Sequence, residues 1–340
     1  MHNRVMSLRV DSISAWIDGL AARLLKPLAG AAALGMWIVL IMGATVTNTG
    51  SQTGCGPSWP LCRGRFIPQM AVSTFIEFSH RTVVGLESIL IIGLALAVWR
   101  LYPGQREIRF LALVMVLFLF LQAGLGAWAV MAPQEPTVLA LHFGVSLVAF
   151  ASVLLVAALV IDGRRLGAMR RRKPPSGFTP FIWLLLLGTY GVVYLGAYVR
   201  HIHADDACQG WPLCNGKPIP VLHGLVTPAF LHRLAALMLV IGVLALVVWA
   251  ASIRARRPDL FAGSLLCLML VVAQAGTGAL VAATHLDLFS ALAHAGVVAL
   301  YFGALSCLAL QTLPGALAEA VQRDAVRPSS EALAAGSLKP

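Results

Sequence analysis

Charge is scarce in this sequence. Asp, Glu, Lys and Arg make up 11% of its 340 residues, against about 25% in soluble domains. That excludes a water-solvated surface over most of the chain. Residues 1–27 are not expected to form a cleavable signal, because the first apolar block is long and no small-residue cleavage site closes it. The centres of the apolar blocks lack the Gly/Pro breaks that mark transporter sites. The histidines inside those blocks lack the Cys or carboxylate partners that a tight zinc site uses.

Apolar residues dominate instead, at 59%, and they are gathered into long runs. A run of 18 or more reads as a membrane-crossing helix, since about 20 residues span about 30 Å. Eight runs predict helices over about 28–47, 74–99, 109–131, 138–161, 180–199, 226–251, 262–283 and 290–311. The net charge of +11 does not call for nucleic acid, because its distribution follows topology. Arg100, Arg106 and Arg109 share one connection, Arg164, Arg165 and Arg170 to Lys173 a second, and Arg254, Arg256 and Arg257 a third. Arg4, Arg9, Arg23 and Lys26 before the first run, and Arg323, Arg327 and Lys339 after the last, belong to the same side. The positive-inside rule makes that side cytoplasmic. Both termini are then cytoplasmic, the intervening loops extracytoplasmic, and the protein a multi-pass component of the plasma membrane.

The expected fold is an all-α polytopic membrane protein, its eight transmembrane helices forming two parallel-repeat four-helix bundles. The first bundle covers 28–161 and the second 180–311. Residues 1–27 read as a cytoplasmic segment with an amphipathic stretch at Leu8–Leu25. Residues 162–179 read as a cytoplasmic linker and 312–340 as a disordered cytoplasmic tail.

The two bundles arise from a duplication. A shift of 152 carries Trp59-Pro60-Leu61-Cys62 onto Trp211-Pro212-Leu213-Cys214, His80-Arg81 onto His232-Arg233, and Gln122-Ala123-Gly124 onto Gln274-Ala275-Gly276. It also carries His142 onto His294. Each half thus holds two histidines, 62 residues apart, near the starts of helices that begin on the loop side. Two imidazoles at one depth in a four-helix bundle suit axial ligation of a haem iron. The bland alternative is a pair of interhelical hydrogen bonds, which four histidines in matched register make less economical. The Gln-Ala-Gly-x-Gly-Ala runs at Gln122–Ala127 and Gln274–Ala279 suit close helix packing or a flat ligand. Gln122 and Gln274 are weak candidates for a polar contact to that ligand.

Cys55 and Cys62 share the first long loop, and Cys208 and Cys214 the second. In an oxidising compartment each pair is expected to close within its own loop, while cross-loop pairing stays open. The second bridge reads as structural, and the first is open between structure and redox chemistry. Cys267 and Cys307 read as buried small hydrophobes.

The symmetry fails at Glu77, whose counterpart is Ala229. Glu77 shares a helix face with His80, where a carboxylate could act as general acid or base. The structural alternative is a capping box, Thr74-Phe75-Ile76-Glu77, with Thr227-Pro228 starting the matching helix. Glu87 lies deeper, opposite Leu239, and should face a partner or a cavity. Arg81 and Arg233 could bind haem propionates or snorkel to headgroups. His201, His203, His223 and His285 have no repeat mates and read as loop residues.

Gly54-Cys55-Gly56-Pro57-Ser58-Trp59-Pro60-Leu61-Cys62 followed by Glu77-Phe78-Ser79-His80-Arg81 resembles the bacterial haem A synthase family. So does Cys208-Gln209-Gly210-Trp211-Pro212-Leu213-Cys214 followed by Leu231-His232-Arg233. The likeness covers about 28–311. It implies an enzyme that oxidises a ring methyl of haem O to a formyl group for terminal oxidases, and two successive oxidations with loss of water from the gem-diol are the expected course. By resemblance, His232 and His294 ligate a resident haem b, His80 and His142 bracket the substrate haem O, and Glu77 is catalytic. The first cysteine pair matches one linked to electron or haem handling. The implied partners are haem O, the haem O synthase that supplies it, the lipid bilayer and an electron acceptor. The rival classes are a di-haem electron-transfer cytochrome, a transporter and a membrane dithiol oxidoreductase.

Overall fold

A computed structural model describes residues 2–131 and 135–314, with side chains from residue 19 onward. Eight long helices account for nearly all of it: α1 (His2–Asn48), α2 (Val72–Leu101), α3 (Arg106–Met131), α4 (Pro136–Arg170), α5 (Phe178–His201), α6 (Val226–Ser252), α7 (Pro258–Ala283) and α8 (Leu288–Thr312). All eight contain stretches long and apolar enough to cross a membrane. In hydrocarbon each backbone N–H and C=O must be satisfied within the segment, and a helix does that. Among the described residues the only β pairing is two isolated bridges in the loops.

Helices α1 to α4 pack as a ring, each against the next and α4 back on α1. Helices α5 to α8 form the same ring. The rings share a wall in which α1 meets α8, and α4 meets both α5 and α8. Small residues thin that wall. Gly144 on α4 faces the Tyr190 ring, and Gly303 on α8 faces Phe150 and Leu154 of α4. The Trp37 indole N–H donates to the carbonyl of Gly296 at 3.1 Å, tying α1 to α8.

The wall is fastened at its basic end by two buried arginines. Arg170 forks onto Glu107 at 2.7 and 3.0 Å, and donates to the carbonyls of Leu313 and Pro314. Arg257 pairs with Asp259 at 2.7 Å and donates to the carbonyls of Arg172 and Gln311. Guanidinium groups suit this task because one planar fork satisfies several acceptors.

Two expectations need adjusting, at the linker and at the start of α2. Residues 162–170 are not linker: α4 runs on to Arg170, interrupted only at Asp162, where φ is −135° and ψ 31°. The Arg170 pairing explains the extension, since it holds the last turns against α3 and α8. The N-terminal segment is helical and continuous with α1, across Pro27. The capping box does not form. Helix α2 starts at Val72 after Ala71, and Thr74 instead donates to the carbonyl of Gly54 at 2.9 Å. Thr227-Pro228 likewise falls inside α6, whose N-cap is Leu225. The tail from 315 lies outside the described residues.

Arg170→Met should leave Glu107 without its partner and lower stability by about 3 kcal/mol. Glu107→Leu added to it should recover most of that loss. Thermal unfolding of the detergent-solubilised protein measures both. Equal stability of wild type and Arg170→Met would show the fork contributes nothing.

Candidate functional site

The four paired histidines lie in the second or third turns of α2, α4, α6 and α8, all towards the loop end of the molecule. His80 and His142 are within electrostatic reach of each other, and so are His232 and His294. Each ring leans on a glycine of a neighbouring helix. A Cβ at Gly43 on α1 would sit 3.5 Å from the His80 ring, and one at Gly126 on α3 would sit 3.2 Å from His142. In the second half, Gly196 on α5 would place a Cβ 2.6 Å from His232, and Gly278 on α7 would place one 3.2 Å from His294. Glycine lets the imidazole lie flat against a helix backbone, in space that any side chain would take. Gly126 and Gly278 belong to the Gln-Ala-Gly-x-Gly-Ala runs. Gly43 and Gly196 are residues that sequence reasoning missed, although each opens a Gly-Ala-x-Val run. They match at an offset of 153, because the first cysteine loop is one residue longer than the second.

The chemistry of these sites is that of imidazole pairs. Nδ1 of His80, of His142 and of His232 is buried without a hydrogen-bond partner. Buried polar atoms are normally satisfied, so three orphans of one type point to a ligand. No group of three or more His, Cys, Asp or Glu able to hold a metal ion occurs among the described residues. Two imidazoles against glycine floors therefore fit a flat macrocycle that brings its own equatorial ligands.

The two halves orient their rings differently. Thr277 Oγ1 lies 3.0 Å from His294 Nδ1, and the Gln274 amide lies 3.1 Å from Nδ1 and 3.0 Å from Nε2. Hydrogen bonds of this kind fix ring direction and tautomer at metal sites. Thr277 is replaced by Leu125 in the first half. The Gln122 side chain instead reaches Met36 Sδ at 3.9 Å, and Gln122 meets His142 only through its backbone. His201 is not a loop residue: it ends α5 and lies within electrostatic reach of His142. His285 is exposed, 3.4 Å from Asp206.

Above each histidine pair lies a cysteine loop. Cys55 is bonded to Cys62, and Cys208 to Cys214. Each bridge leads into a tight turn, Cys62-Arg63-Gly64-Arg65 or Cys214-Asn215-Gly216-Lys217, closed by an isolated β-bridge. Arg63, Gly64, Asn215 and Gly216 all have φ between 51° and 73°, the pairing of positive φ values that a type I′ turn demands. Arg81 and Arg233 hold these loops. Arg81 donates to the carbonyls of Ser58 at 2.8 Å and Leu61 at 2.9 Å. Arg233 donates to those of Gly210 at 2.7 Å and Leu213 at 2.9 Å, the same two positions in the repeat.

The remaining nitrogen of each arginine marks the asymmetry. Arg233 uses it on the carbonyl of Cys208. Arg81 uses it on Glu77 Oε1 at 2.5 Å, and Glu77 Oε2 accepts the N–H of Cys55 at 2.7 Å. Glu77 is 3% exposed, so its carboxylate is fixed between an arginine and the cysteine loop, one helical turn from His80.

Comparison with known proteins places the chain. A family model described as cytochrome oxidase assembly protein matches residues 27–306. A protein of Symbiobacterium thermophilum named "Heme A synthase" is 42% identical over 283 residues, covering 82% of this chain and 92% of its own. One of the same name from Geobacillus kaustophilus is 42% identical over 294 residues, covering 86% and 92%. A third, from Halalkalibacterium halodurans, is 39% identical over 290 residues, covering 83% and 95%.

The glycine seats yield a graded prediction. Gly196→Ala should displace the His232 ring and lower haem retention in the second half at least about tenfold. Gly43→Ala, whose Cβ meets His80 at ordinary contact distance, should retain haem within about twofold of wild type. Absorption of the purified variants reads both, and equal retention in the two would refute the seating argument.

Proposed function

The chain belongs to the cytochrome oxidase assembly family that includes the heme A synthases, and from that premise we propose a division of labour between its two bundles. The protein is a membrane-bound haem A synthase, an enzyme that oxidises a ring methyl of haem O to the formyl of haem A for terminal oxidases. The first bundle receives haem O between His80 and His142. The second holds a haem b between His232 and His294. The observation that carries this division is the pairing of two glycine-seated histidine sites with a buried carboxylate, Glu77, one helical turn from a histidine in the first of them and replaced by Ala229 in the second.

When bound, the resident haem supplies a redox-active iron. His232 and His294 would hold it, with Thr277 and Gln274 fixing the direction of the His294 ring. His80 and His142, free of such side-chain bonds, suit a macrocycle that must come and go. Arg81 and Arg233 place positive charge at the loop edge of each site, where propionates would lie. Glu77 is the acid/base group at the reacting methyl, and Arg81 with the Cys55 N–H sets where its carboxylate points. Cys55–Cys62 is then coupled to the reacting half through Glu77, while Cys208–Cys214 has no such link. The cysteine loops face the extracytoplasmic side, and the Arg170 and Arg257 end faces the cytoplasm. Haem O arrives from a haem O synthase, and an electron acceptor completes each turnover.

Glu77→Gln separates chemistry from scaffolding, since the amide oxygen can still accept the Cys55 N–H. Haem A formation should fall at least about 100-fold while the second-half haem is retained. Extracted pigments analysed by mass measure both. Normal haem A output from Glu77→Gln would make Glu77 a loop clamp, and two unconverted haems b in wild type would make the protein an electron-transfer cytochrome.

Sidedness has its own test. Phe66→Cys, at an 84% exposed loop position, should react with a membrane-impermeant maleimide in intact cells. Arg171→Cys at the basic end should react only in inverted vesicles, and the opposite pattern would reverse the topology.

A further inference from the structure

Glu87 has no part in the reaction described so far. It lies mid-way along α2, is 4% exposed, and its Oε1 has no hydrogen-bond partner. An acid within a membrane span is costly, and its presence there is functional by default. The carboxyl fills the space that a side chain at Gly35 on α1 would take. In the second half Leu239 lies against Gly188 in the corresponding slot, 3.4 Å from where its Cβ would be. A slot between a glycine and the facing helix thus occurs in both bundles, with a carboxyl in the first and a leucine in the second.

Position gives this difference a meaning. Glu87 is seven residues beyond His80 on the same face of α2, about 10 Å further from the loops. Gln122 reaches the same layer, where its amide contacts Met36 beside Gly35. The matching Gln274 is turned towards His294 instead. The second bundle carries hydroxyls in this layer, Thr189 and Tyr301 3.4 Å apart, whereas among the described residues only the first bundle places a carboxyl beneath its imidazoles.

Haem O differs from haem b at one substituent, a hydroxyethyl group bearing an isoprenoid tail in place of a vinyl. That substituent lies on the porphyrin edge opposite the propionates. With propionates at the Arg81 end, this edge faces the Glu87 layer. A carboxyl complements a hydroxyl whichever of the two carries the shared hydrogen, whereas Leu239 complements a vinyl. We propose that Glu87 binds the hydroxyl of the hydroxyethyl-isoprenoid group and so selects haem O over haem b in the first bundle. The proposal rests on the reading of that bundle as the substrate site. Haem b in this slot would leave the buried carboxyl unpaired, which is how polar sites reject an analogue lacking the hydroxyl.

The test uses the full-length protein in detergent, with haem O and haem b competing for the first bundle. Extracted-pigment ratios and difference spectra read the occupancy, and the second-half haem reports folding in the same sample. Wild type should prefer haem O. Glu87→Leu, which installs the residue of the second half, should cut that preference about tenfold or more, as expected for one buried hydrogen bond. Glu87→Gln should stay within about threefold of wild type. Undiminished preference in Glu87→Leu, or equal loss of both haems, would overturn the proposal. A wild type that takes no haem O beside a filled second half would instead overturn the substrate assignment on which it rests.

Discussion

Four imidazoles must lie inside a bilayer-spanning bundle with room on one face for a flat ligand, and a glycine on a neighbouring helix provides that room each time. Gly43, Gly126, Gly196 and Gly278 sit on α1, α3, α5 and α7, while the histidines sit on α2, α4, α6 and α8. Odd helices supply floors and even helices supply rings. This alternation requires antiparallel neighbours in close contact, which the ring order of each bundle provides. The loops above and the arginine fastenings below keep the helices at that spacing.

Duplication gave two equivalent frames, and a few substitutions made them different. The arginine after each first histidine grips the same two loop carbonyls in both halves. Its third contact is main chain in the second half and Glu77 in the first. Thr277 against Leu125 and Glu87 against Leu239 are two further departures. All three concern polar groups placed near or below an imidazole, where the low dielectric makes each one consequential.

Much of this was legible in the sequence because hydrocarbon imposes long apolar runs and because the duplication fixes relative depth. The eight helices and the histidine register follow from those two facts. Helix ends were harder to read. Residues 162–170 are charged enough to read as linker, and only the long-range fork from Arg170 to Glu107 keeps them helical. The Thr74–Glu77 spacing imitated a capping box, but the loop passing at Gly54 took the threonine and Cys55 took the glutamate. Gly43 and Gly196 escaped notice because the one-residue difference between the cysteine loops shifts their register. Arg81 and Arg233 suggest ligand or lipid partners by sequence, whereas both grip carbonyls of a loop about 20 residues upstream, and Arg81 also holds Glu77.

Arg170 belongs to α4, yet its Nε and one of its terminal nitrogens bind carbonyls at 313 and 314, just past α8. A membrane chain is synthesised and inserted from its N-terminus. When the ribosome has released the first four helices, the wall face of α4 is still bare and Arg170 still lacks two of its acceptors. Those acceptors are the last stretch of membrane domain to be made. The bundle that is written first is therefore completed at its basic end only by residues that follow α8.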